Sequence, residues 1–325
     1  MKQGRILLLV PLLLAVAALA ATFRCVHAPG THIPPTTDIH PRKNAVYYWK
    51  TTFRLNDKER EFLRREKVGR IYLRMFDVAA ATPMAVPNAT VTFASHVPEG
   101  VDIVPTVFIT VEALQQTADG KQIDILAEKI VKRITAMCSW NDIGDWNEIQ
   151  IDCDWTASTR DAFFMLCKEV KRRAPGKLLS STIRLHQLQQ EAPPVDYGVL
   201  MVYNTDRFDD YTTENSILNS ETVETYLNRD LGFSLPLDIA LPVFQWNIIF
   251  RNNRFVRIAR PFEEPDSGEE VRHEQVPASE LIKTMELLNR YLHTDSARHS
   301  TILYHLDSTN IDKYSHEDIK GIYNH

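Results

Sequence analysis

Strand-like and helix-like segments alternate from residue 45 to the end of the chain, and this alternation limits the fold more tightly than any single motif. Aromatic and β-branched runs place strands at 45–49, 70–78, 101–110, 148–156, 181–185, 197–204, 238–246 and 301–306. Helical spacing, clearest in Ile123, Leu126, Ile130 and Ile134, places helices at 56–66, 123–137, 158–173, 222–228, 278–292 and 316–323. Eight strands interleaved with helices over about 280 residues is what a (β/α)8 TIM barrel requires, a fold usually of about 250 residues. The rival, a doubly wound open sheet, lacks its phosphate loop: the chain has only 11 glycines, and Gly-x-Gly-x-x-Gly occurs nowhere. One exception to the alternation, residues 248–256, reads as a hairpin turning on Asn252 and Asn253, because asparagine tolerates positive φ. It would extend the seventh strand above the barrel mouth. The acidic loop 263–270 after it reads as solvated surface.

The chain ahead of the barrel divides in two. Residues 1–24 form a signal peptide or membrane anchor: Lys2 and Arg5 precede the apolar run 6–23, and Ala18-Leu19-Ala20 has the small-x-small pattern of a cleavage site. The run, about 18 residues, is just long enough to span a bilayer. Cys25 offers a site for lipid attachment. Residues 25–44, with four prolines and no apolar periodicity, form a flexible tether, and residues 45–325 are the barrel. The expectation is an exported protein, periplasmic or at the cell surface, touching a membrane only through its N-terminus. Its net charge of −5 becomes about −7 once Lys2 and Arg5 leave, which argues against nucleic acid as a partner. Beyond Cys25, only Cys138, Cys153 and Cys167 remain, an odd number without tight spacing. No disulfide framework, metal or other cofactor is expected.

In a (β/α)8 barrel the working residues lie at the C-terminal ends of the strands. The fourth strand is the most informative: Gln150, Asp152, Asp154 and Thr156 share one face, and Ile149, Ile151, Cys153 and Trp155 the other. Carboxylates are costly to bury without partners, so two of them after an apolar run point to a polar hollow. The plainer alternative has them bonding loop amides or capping the next helix. The remaining strand ends supply Trp49, Arg74, Asp77, Tyr203, Asn204, Gln245, Trp246, Tyr304, His305 and Asp307. Carboxylates, amides and rings suit a sugar, whose hydroxyls need paired partners and whose ring faces stack on aromatic side chains. Each also has a structural alternative: the tryptophans as packing, Arg74 as the counterion of Asp77, His305 as a core residue.

Asp152-Cys153-Asp154-Trp155 resembles the fourth-strand Asp-x-Asp-Trp-Glu signature of glycoside hydrolase family 18, the chitinases and endo-β-N-acetylglucosaminidases. Met201-Val202-Tyr203-Asn204 is similar to that family's sixth-strand Met-x-Tyr-Asp/Asn. Leu241-Pro242-Val243-Phe244 is similar to its Leu-Pro-Phe/Tyr element, and Tyr304-His305-Leu306-Asp307 to its Trp-x-x-Asp. The four pieces stand in the family's order. The resemblance implies a barrel acting on glycans that contain N-acetylglucosamine, with the substrate's own acetamide oxygen as nucleophile. One departure matters: aligned on Trp155, the family's catalytic glutamate falls on Thr156, which cannot protonate a leaving oxygen as a carboxylic acid can. In that register the chain resembles silent members of the family, which keep the barrel and bind glycans. Shifted by two, Asp154 becomes the general acid, its pKa raised by Asp152 and an apolar surround. Asp152 would then orient the acetamide, Tyr203 hold its oxygen and Tyr304 form the floor. Both registers are open in the sequence, and with them two functions: a glycosidase, or a glycan-binding or surface-interaction barrel without catalysis. In either, Trp49, Arg74, Asp77, Trp155, Asn204, Gln245, Trp246 and His305 are expected to contact the carbohydrate.

Overall fold

The structure, a computed structural model, describes residues 34–82, 85–117, 120–144, 146–228, 233–259, 263–292 and 299–325. The expected leader, Cys25 and the first part of the tether lie outside the described residues. Eight parallel strands follow in order: β1 Asn44–Tyr48, β2 Val68–Ala79, β3 Asp102–Ile109, β4 Glu148–Asp152, β5 Leu178–Arg184, β6 Tyr197–Met201, β7 Leu237–Pro242 and β8 Thr301–Tyr304. Ala45 of β1 lies opposite both Arg70 of β2 and Ile302 of β8, which closes the sheet into the expected (β/α)8 barrel.

Period-two alternation sorts each strand between two layers. Outward residues such as Ile71, Val107, Ile151 and Ile183 pack against Ile130, Phe163, Leu166 and Met285 of the surrounding helices. Inward residues, among them Tyr47, Tyr72, Val104, Tyr197 and Ile302, fill the centre. This interior also holds polar groups, so they bond one another. Tyr47 Oη donates to Gln150 Oε1 at 2.8 Å, and Glu148 Oε1 accepts from Ser180 Oγ and Tyr197 Oη, each at 2.5 Å. Burial pushes the Glu148 carboxyl up, against the pull of nearby Arg70 and of these two bonds.

The tether expected through residue 44 is in its last part a strap across the barrel floor. Thr36 Oγ1 donates to Asp238 Oδ1 at 2.7 Å, and His40 Nε2 lies 3.1 Å from Asp238 Oδ2. Arg70 Nη1 donates to His40 Nδ1 at 3.1 Å, and Arg42 donates to the carbonyl of Tyr323. The physical reason is Asp238 itself, which is fully buried at the base of β7 and draws its partners from the strap. Burial opposes its charge, yet His40, the Ser300 amide and Thr36 outweigh burial and hold the carboxyl below its ordinary range. A depressed folded pKa stabilises above the unfolded value and is lost as pH falls through the folded one. Asp238→Asn is therefore expected to cost about 1–2 kcal/mol at pH 7. The gap to wild type should shrink on acidification, as urea titrations at pH 7 and pH 3 would read.

The seventh strand also differs from expectation. β7 stops at Pro242, which has no N–H to continue the ladder. Gln245 and Trp246 thus belong to a separate antiparallel sheet, in which Gln245–Arg251 lies between Arg254–Ile258 and Glu270–Gln275. The hairpin turns on Asn252 and Asn253, with φ of 52° and 59° as expected. The acidic loop is less open than its charge suggests: Glu269 Oε1 accepts from Arg257 at 2.7 Å and from Arg251 at 3.1 Å, fastening the hairpin.

Candidate functional site

β4 carries its alternation to the barrel mouth, so Gln150 and Asp152 face inward and Asp154 stands above them. Asp152 is buried: its Oδ1 accepts from Thr182 Oγ1 at 2.6 Å and faces Arg184 Nη2 at 3.4 Å. Burial pushes its carboxyl up, with Arg184 and Thr182 pulling the other way. Asp154 is more than half exposed, and its Oδ1 accepts from Arg184 Nε. The burial expected for Asp154 therefore belongs to Asp152, because only the lower acid lies below the rim.

Arg184 is the residue that sequence reasoning missed. It ends β5, bridges both acids, and sets its guanidinium carbon 5.8 Å from the Tyr203 ring centre. The available signal was its place at the end of a polar strand, the kind of position used to choose the other candidates. Tyr203, just past the end of β6, packs 4.9 Å from Tyr304, and burial pushes its hydroxyl up. Thr156 is exposed and bonds into the turn that leads to the helix Arg160–Arg173. Its amide donates to Thr159 Oγ1 at 3.0 Å, and its hydroxyl lies 3.0 Å from Ser158 Oγ.

Rings line the mouth on the opposite side. Tyr304 has Trp49 at 5.8 Å, Tyr47 at 5.5 Å and Phe244 at 6.0 Å between ring centres. Arg74 lies 5.5 Å from the centre of the Trp49 ring and is paired with Asp77, Nε to Oδ1 at 2.7 Å. These two are an odd number of residues apart in a strand and should face opposite ways. A register shift between Arg74 and Phe76 brings them together. His305 is partly buried, with Asp307 and Lys50 as its charged neighbours, and burial lowers its pKa. Burial resists charge on Asp307, but bonds from Lys50 and Thr309 prevail and hold its carboxyl down to about 2.

One other candidate changes role and three stand open. Trp155 is fully buried on the outward face, stacked 6.0 Å from Phe163 and edge-on to Phe164 at 5.5 Å, so it is a core residue and touches no ligand at the mouth. Trp246 is partly buried and donates its indole N–H to Glu274 Oε2 at 2.8 Å, away from the strand ends but 5.5 Å from Phe244. Asn204 is exposed at a φ of 54°, and Gln245 is exposed at the start of the insertion.

No protein-family model and no curated protein matches the sequence. Solved structures share its fold. The spore cortex-lytic enzyme SleL of Bacillus megaterium superposes with a TM-score of 0.53 at 10% identity, over 82% of this chain and 72% of its own. A chitinase from Chromobacterium violaceum gives 0.53 at 11%, over 87% and 98%. The family 18 chitinase of Cycas revoluta in complex with (GlcNAc)3 gives 0.51 at 12%, over 87% and 98%. The chain has the same barrel fold as these structures, among them one of glycoside hydrolase family 18.

Proposed function

We propose that the barrel mouth binds a glycan containing N-acetylated amino sugars and does not cleave it. One observation carries the second half of this reading: the position past β4 where a carboxylic acid would be needed is Thr156, folded into a helix-initiating turn, and the open acid beside it, Asp154, is engaged by Arg184. Hydrolysis of a glycosidic bond calls for a positioned proton donor at that point. The first half rests on Trp49, Tyr203 and Tyr304, half-buried rings that offer apolar faces beside the polar groups Arg74, Arg184 and Asp152. The Cycas barrel, similar in fold, is described with a GlcNAc trimer bound. Lys2, Arg5 and the apolar run after them support an exported protein at the cell surface or in the periplasm.

Calorimetric titration with chito-oligosaccharides, run beside a reducing-sugar assay, tests this. Wild type and Asp154→Asn should bind alike and release nothing, while Tyr304→Ala should weaken binding about tenfold. Absence of binding to any N-acetylated glycan would remove the proposal. A second reading has one observation behind it: burial pushes up the Asp152 carboxyl, which suits a proton donor. Release of reducing sugar that survives Asp154→Asn and disappears in Asp152→Asn would establish that reading instead.

A further inference from the structure

We infer that Glu274, on the last strand of the insertion, is the positioning residue that sets the outer half of the glycan site and thereby its preference for longer chains. The inference rests on the mouth being a glycan site. Glu274 is buried and lies outside the eight barrel strands. Its Oε2 accepts from the Trp246 indole N–H at 2.8 Å, from the Ser216 amide at 2.8 Å and from Ser216 Oγ at 2.6 Å. Its Oε1 accepts from Arg272 Nε at 2.7 Å. Arg272 then donates Nη1 to the carbonyl of Asp210 at 2.6 Å and Nη2 to that of Phe208 at 2.8 Å, with its guanidinium carbon 4.8 Å from the centre of the Phe250 ring.

One buried side chain thus fastens two segments that are far apart in sequence, the insertion sheet and the loop 204–218 that leaves β6. A buried carboxylate is tolerated only with its oxygens satisfied, and here four donors converge on it. The result is continuity of rings. Tyr203 lies 5.8 Å from Phe244, Phe244 5.5 Å from Trp246, Trp246 6.0 Å from Phe208 and Phe208 5.3 Å from Phe255. The run leaves the barrel mouth and ends on Phe208 and Phe255, which are 38% and 37% exposed. A short glycan would engage only Trp49, Tyr203 and Tyr304. A longer one reaches Trp246 and Phe208, whose places depend on Glu274.

The test compares the full chain and its variants in titrations with N,N′-diacetylchitobiose and chitohexaose. Glu274→Leu should lower affinity for the hexamer about tenfold and leave the dimer unchanged. Glu274→Gln, which still offers an acceptor to Trp246 and Ser216, should retain most of the hexamer affinity. The Trp246 indole 1H–15N resonance should move in Glu274→Leu and stay near its wild-type position in Glu274→Gln. Should Glu274→Leu not fold, Trp246→Phe keeps an aromatic ring, smaller than the indole and without its N–H, and should lose part of the hexamer affinity alone. Dimer and hexamer weakened together, or a hexamer affinity indifferent to Glu274→Gln, Glu274→Leu and Trp246→Phe, would overturn the inference while sparing the glycan site. A wild type that binds neither oligosaccharide overturns both.

Discussion

Alanine at position 155 is expected to destabilise the barrel by about 3–5 kcal/mol, and to leave glycan affinity of the remaining folded protein unchanged. Trp155 has no exposed surface, and its ring fills the space between β4 and the helix Arg160–Arg173, where Phe163 and Phe164 pack against it. Truncation removes the transfer energy of the indole and leaves a cavity that the strand and helix cannot collapse to fill. No side-chain hydrogen bond is lost, since the indole N–H has no partner among the described residues, and the bond from Gln187 Nε2 runs to the main-chain carbonyl at 3.0 Å. The loss is therefore one of packing, and Trp155→Phe should recover part of it. Thermal unfolding would register the alanine variant as a fall in Tm on the order of 10 °C. A variant with intact stability and lost binding would instead return Trp155 to the site.

That residue also shows where pattern and motif part company. Alternation along β4 already sets Trp155 with Ile149, Ile151 and Cys153, on the face opposite the acids, and the structure agrees. Its candidacy as a ligand contact came from its place at the end of the fourth strand, a rule that says nothing of faces. The barrel was legible because each strand and helix repeats one local rule, and the helix Ala278–Leu292 has the bounds that its periodicity predicts. The features that escaped depend on non-local partners. Arg184 carries no motif and gains meaning only when β5 sets it beside Asp152 and Asp154. The pairing of Arg74 with Asp77 needs a bulge that no composition announces. The strap hid behind its prolines, because its order comes from His40 and Thr36 meeting Asp238 across the floor. The strand Glu270–Gln275 carries charges at Glu270, Arg272 and Glu274 and only one large apolar residue, Val271, and is held by pairing with Gln245–Arg251.

Methionine in place of Arg184 is expected to cost about 2–3 kcal/mol at pH 7 and much less at pH 4. The arginine is the nearer of two cations that act on Asp152, the other being Arg74, and the remaining bond at Oδ1 comes from Thr182. Burial already pushes that carboxyl up, and loss of the nearby positive charge would push it further. A folded-state pKa above the unfolded one means that the folded protein binds the proton more tightly. Stability then falls as pH rises between the two values, and the penalty is absent where both states are protonated. The gap between variant and wild type should accordingly open from pH 4 towards pH 8 in urea titrations. Asp152→Asn in the same background should close most of it, because the amide needs no counterion. A gap that stays constant with pH would mean that Arg184 stabilises by packing its stem and not by its charge. The same pair bears on chemistry: Arg184→Met removes the group that occupies Asp154 and weakens the hold on Asp152 together. If the barrel is silent because Thr156 offers no acid, that variant remains silent; reducing sugar released by it would identify the arginine as what restrains the two carboxyls.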